Sequence, residues 1–101
     1  GLAGMPPSGQ LAALILSSHD EKRLHATLRR LDKSKPHFTG VDIFGPAIAP
    51  IGFLKGRYRG RLLIRTDRLV DIQGILRDWL ADFKPDSGVK LQIDIDPYNF
   101  L

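Results

Sequence analysis

The spacing of apolar residues changes along this chain in the order strand, helix, strand, strand, helix, strand, and few architectures accept that order. Side chains repeat every two residues on a strand and about every 3.6 on a helix, so each spacing marks its element. Leu11–Leu16 (LAALIL) is a continuous apolar run between Gly9 and Ser17-Ser18, which predicts a central strand buried on both faces. Leu24, Leu28 and Leu31 recur at helical spacing, with Arg23, Arg30 and Lys33 turned to water. Ser18 and Glu21 form a reciprocal N-cap pair for that helix, and Pro36 stops it.

Val41–Phe44 reads as a short second strand, and Gly45–Gly56, punctuated by Pro and Gly, as an extended hairpin arm. Tyr58–Arg65 is the third strand. Asp67 is placed to cap a second helix whose apolar stripe is Ile72, Ile75, Leu76, Trp79, Leu80 and Phe83. After a turn at Pro85–Gly88, Val89, Leu91, Ile93 and Ile95 point inward while Lys90, Gln92, Asp94 and Asp96 point outward. With right-handed crossovers, this order closes into an α+β, ferredoxin-like β-α-β-β-α-β fold. It has a four-stranded antiparallel sheet, two helices on one face, and a long hairpin arm between the second and third strands. At 101 residues, such a domain buries roughly 60–70% of its unfolded surface.

The charge is as localised as the periodicity. Lys55–Arg68 (KGRYRGRLLIRTDR) holds Lys55, Arg57, Arg59, Arg61, Arg65 and Arg68 against Asp67 alone, six minus one, or +5. The other 87 residues hold nine basic and ten acidic side chains, a balance of −1. Arg57, Arg59, Arg61 and Arg65 share one parity on the third strand, while Tyr58, Leu62 and Ile64 share the other. Parity therefore predicts an arginine row on the open face of the sheet, with Asp42, Asp94 and Asp96 at outward positions to neutralise part of it. A guanidinium row suits a polyanion, through paired hydrogen bonds to phosphate. Tyr58 is the one aromatic in the stretch and its parity is inward, which favours backbone contacts over base stacking. Four arginines that each release a counterion predict a log–log salt slope of about −3 to −4.

Signs of catalysis are few. Cysteine is absent, which removes disulfides and thiolate zinc sites. His19, His25 and His37 lack an i, i+4 pairing and read as helix-surface and loop residues; Asp94-Ile95-Asp96 reads as the polar side of an alternating strand. No GxxxxGK[ST] phosphate loop occurs, so no catalytic residue and no cofactor is assigned within these residues. The longest charge-free run in the body of the domain, Ile43 to Leu54, is broken by Pro46 and Pro50 and too short to span a bilayer, so no membrane partner is expected. The start, GLAGMPPSG, is small and Pro/Gly-rich, and residues 1–9 read as a linker, leaving 10–101 as the domain.

Three segments carry a resemblance. MPPSGQLAALILS (5–17), FGPAIAPIGFLKGRYRGRLLIR (44–65) and IDIDPYNFL (93–101) resemble the C-terminal domain family of bacterial primosomal protein N′, the replication-restart helicase. That family runs MPPFxxLA, GPAPAPxxxLRGRYRxxLLL and a terminal DVDPxxF. The resemblance implies a non-catalytic domain that follows helicase lobes and binds forked or single-stranded DNA. Lys55, Arg57, Arg59, Arg61 and Arg65 would meet the DNA. It implies Arg68 as an anchor for the acidic tail of single-strand DNA-binding protein. Further implied partners are the helicase core of the same chain and other primosome proteins, in the bacterial cytoplasm and nucleoid. ATP, magnesium and zinc would belong to the parent, an ATP-dependent 3′–5′ helicase. Gly60 stands where that family carries a bulkier, often aromatic residue, so a stacking contact is expected to be missing there. A rival reading makes this a docking domain whose apolar arm packs on the helicase lobes and whose arginines receive acidic protein tails.

Overall fold

In the computed structural model, described for residues 9–54 and 56–96 with the side chains of 49–54 and 96 excepted, the anticipated order of elements is present. The elements are β1 (Gln10–Ser18), α1 (Glu21–Lys33), β2 (Val41–Leu54), β3 (Arg57–Thr66), α2 (Ile72–Leu80) and β4 (Val89–Asp96). The strands form one sheet in the order β2-β3-β1-β4. Each neighbouring pair is antiparallel, the ferredoxin-like arrangement.

The core lies between the sheet and both helices. Ala12, Leu14 and Leu16 of β1 and Leu62 and Ile64 of β3 meet Leu24, Leu28 and Leu31 of α1 and Ile72 and Leu76 of α2. Thr27, omitted from the apolar stripe, is also buried on α1 and accepts a hydrogen bond from Asp86 N at 3.2 Å. Gly60 lies on this covered face. A Cβ there would sit 2.5 Å from Leu28 Cδ1, so the missing side chain lets α1 approach the sheet. The expected loss of a stacking contact is therefore corrected, because Gly60 does not face the open side.

Four details differ from the sequence reading. β1 is buried on its even side only: Leu11, Ala13 and Ile15 are half-buried, because no layer among the described residues covers the other face. The N-caps are Asp20, which accepts from Arg23 N at 3.2 Å, and Asp71, which accepts from Gly74 N at 3.0 Å, rather than Ser18 and Asp67. Ser18 instead supports the cap, accepting from Asp20 N at 3.0 Å. β2 continues through the supposed arm for 14 residues, with register shifts between Phe44 and Ala47 and between Ile48 and Phe53. The prolines are tolerated because the strand lies at the sheet edge and bulges where it carries them. Finally, Arg23 and Arg30 do not simply face water. They bind Ser87 O at 3.0 Å and Asp86 Oδ1 at 2.6 Å, tying α1 to the connection before β4.

Candidate nucleic-acid interface

Register orders the uncovered face into rows that cross the strands. Lys90, Ser17 and Arg59 form the row nearest the β2–β3 turn, followed by Gln92, Ile15, Arg61 and Ala47. Next come Asp94, Ala13, Leu63 and Phe44, and last Leu11, Arg65 and Asp42. Parity thus set the arginines on the open side as expected, but cross-strand order grades the charge. Among the described side chains, the two rows nearest the turn hold Lys90, Arg59 and Arg61, and the carboxylates Asp94 and Asp42 lie in the two far rows. Lys90 joins the cations because β4 runs antiparallel to β1, a placement that its own parity left unpaired with any arginine.

The arginines are not equivalent. Arg57 is half-buried and reaches across to β1, where Nε donates to Ser17 Oγ at 3.2 Å and Nη2 to Ser17 O at 3.1 Å. Its Nη1 donates to His19 Nε2 at 3.0 Å, and His19 Nδ1–H donates to the Gly56 carbonyl. A guanidinium can only donate and a carbonyl can only accept, so this chain requires the neutral Nδ1–H tautomer. Arg57 therefore holds the hairpin turn against β1 while keeping its charge, since both side-chain partners are neutral. The signal was invisible in sequence because Arg57 and His19 are 38 residues apart.

Arg61 is exposed and makes no hydrogen bond or ion pair among the described residues. Arg59 is half-buried, and it does have an interaction partner. Arg65 is committed twice: its Nη2 lies 3.0 Å from Asp42 Oδ2, and its guanidinium carbon lies 5.2 Å from the centroid of the Phe44 ring. Asp94 makes no ion pair among the described residues, and a strand separates it from the arginines. Lys55 and Asp96, as side chains, lie outside the described residues.

Arg68 is not part of the row. It sits exposed in the turn after β3, beside Leu69, which is 91% exposed. The length of β3, about 30 Å at strand rise, separates this turn from Arg57. The turn precedes the Asp71 cap, so the helix N-terminus is already satisfied by its own chain.

Phe44 was missed. At 46% exposure it is an aromatic on the open face, paired laterally with Leu63 and two residues beyond Asp42. The outward parity of Asp42 within Val41–Phe44 already implied it, but Phe44 lies outside the Lys55–Arg68 stretch to which the reading of outward aromatics was confined. Among the described residues, no helix is long and apolar enough to cross a membrane.

The molecule is a two-layer α+β domain with one sheet face covered and the other open, cationic at one end. Its sequence matches the model of the primosomal protein N C-terminal domain over residues 1–98, and the chain belongs to that family. It is 38% identical to replication restart protein PriA of Rickettsia prowazekii (strain Madrid E) over 98 residues, 97% of this chain and 15% of the relative. Against replication restart protein PriA of Bacillus subtilis (strain 168), identity is 26% over 101 residues, 95% of this chain and 12% of the relative. The chain thus spans about 15% of the length of the first relatives it matches. The backbone also resembles the de novo designed protein Foldit4, with a TM-score of 0.62 and 13% identity over 86% of this chain and 94% of the design. That likeness concerns the fold alone.

Proposed function

We propose that this replication-restart domain binds the DNA of stalled forks, with the arginine row of β3 on phosphates, as a non-catalytic part of a longer helicase. The observation that carries the reading is the co-facial set of Arg57, Arg59, Arg61 and Lys90 at the turn end of an uncovered sheet. Phosphate contacts hold a strand without reading its sequence, so the structure of a fork, not its bases, would decide selectivity. Residues 1–9 would link the domain to helicase lobes that carry the ATP, magnesium and zinc sites. Single-strand DNA-binding protein and other primosome proteins would be partners of the assembled protein.

Titration of forked DNA at several salt concentrations tests this. Each arginine that displaces a counterion adds about 0.7–0.9 to the slope. With Arg65 offset by Asp42, the four cations Arg57, Arg59, Arg61 and Lys90 set the expected slope at about −3 to −4. No binding at low salt, or a slope near zero, overturns the reading.

A second reading rests on a different place. Exposed Leu69 beside Arg68 combines an apolar contact with a cation, the pairing an acidic, apolar protein tail would need. Arg68→Glu is expected to weaken tail binding and leave fork binding within about twofold, since the DNA surface lies at the other end of β3. Loss of both activities in that variant would merge the two sites and contradict this division.

A further inference from the structure

We propose that Phe44 is a stacking platform for one unpaired nucleobase, with the phosphate of the same strand turned toward Arg61. This deepens the fork-binding reading and rests on it. The row that contains Phe44 also holds Leu63 and Ala13, both half-buried, and the neighbouring row supplies half-buried Ile15. Together they make an apolar floor on which Phe44 is the largest exposed surface, 46% accessible. The floor is bounded unequally. On the turn side, Arg61 lies exposed one row away, roughly 7 Å along the strand. On the other side stands Asp42, ion-paired with Arg65, while Asp94 in the same row lies at the opposite edge of the sheet, roughly 14 Å away.

That asymmetry selects the occupant. A group seated directly on Phe44 meets an apolar floor, and Asp42 beside it is already engaged by Arg65, so a planar apolar group is favoured there over an anion that would have to shed its water. A neutral planar group with amino hydrogens is accepted, because carboxylates take hydrogen bonds from base N–H. The same ligand must carry its negative charge toward Arg61. A nucleotide satisfies both demands within one unit, whereas the carboxylates of an acidic peptide suit Arg61 but supply no planar face for Phe44. Arg65 completes the arrangement: its guanidinium already lies 5.2 Å from the ring centroid, held by Asp42 at 3.0 Å. A base can enter if Arg65 lifts by the thickness of one aromatic ring and stacks on the base's second face. Guanidinium stacking of this kind suits any base, so little sequence preference is expected.

The test compares Phe44→Ala, Phe44→Leu and Phe44→Trp on a fork with an unpaired arm and on a blunt duplex of the same length. Stacking on one base predicts about a tenfold loss for the alanine and leucine variants on the fork, with the duplex affinity nearly unchanged. The tryptophan variant should restore fork binding, and the salt slope should be the same in all three because stacking releases no counterion. Leucine preserves most of the apolar area, so its failure separates stacking from simple burial. Equal losses on both DNAs, or no loss on the fork, would overturn the platform while leaving the arginine row intact. Failure of the unaltered chain to bind either DNA at low salt overturns both readings. If Phe44→Ala instead abolishes binding of an acidic peptide, or self-association, and spares the fork, the occupant is a protein and the proposal is wrong.

Discussion

The two faces of β3 are built from the same ten residues and do opposite work. On the covered face, Leu62 and Ile64 are fully buried and Gly60 admits Leu28 of α1. One residue out of phase, Arg61 and Arg65 are exposed. Stability and binding are therefore separated by a single step in register, and a substitution on one side should leave the other almost unaffected. The lesson extends along the open face. Its turn end holds Arg57, Arg59, Arg61 and Lys90, and its far end holds Arg65 with Asp42, so position along the strand decides how much charge reaches a ligand.

The largest effects are expected on the covered face. Leu62→Ala removes a fully buried side chain from the centre of the sheet and should cost about 2–5 kcal/mol in chemical denaturation, with DNA affinity unchanged while the domain stays folded. Gly60→Val is expected to cost about 1–3 kcal/mol, because its new atoms meet Leu28 at the helix–sheet contact. A stable Gly60→Val would mean that α1 has room to move away.

From the open face the effects move to binding. Arg61→Ala should change stability by less than about 0.5 kcal/mol and reduce the magnitude of the salt slope by about 0.7–0.9. Arg57→Ala sharpens the distinction between cations, because it should lower binding and also loosen the turn. Amide exchange at Gly56 and Tyr58 should rise in that variant and not in Arg61→Ala. Smallest of all, Asp42→Asn should leave stability within about 1 kcal/mol, since the pair is exposed, yet steepen the slope by about 0.7–0.9 as Arg65 becomes available. Unchanged binding there would show that Arg65 takes no part.

Much of this was legible in the residues. The helical stripes and the alternation of β3 and β4 are local, so they survive folding unchanged and place each side chain on a face. Capping was less legible, because Ser18, Asp20, Asp67 and Asp71 all have side chains able to cap, and only the path of the backbone selects Asp20 and Asp71. The extent of β2 was hidden by its prolines, which signal a break in a central strand but are admitted at a bulged edge. Phe44 was readable from the parity of Asp42, since both lie within Val41–Phe44, but its place beside Leu63 and Arg65 depended on register.

The order of elements, the family and the side of the sheet on which the arginines stand follow from the residues alone, because a two-residue period needs no knowledge of neighbours. What each arginine can still do follows from its neighbours in the folded sheet. Arg57 is drawn to Ser17 and His19, Arg65 to Asp42 and Phe44, and Lys90 is brought to the row of Arg59 by strands far away in the chain. Such partners are set by strand order and register, which arise from packing the whole apolar face at once.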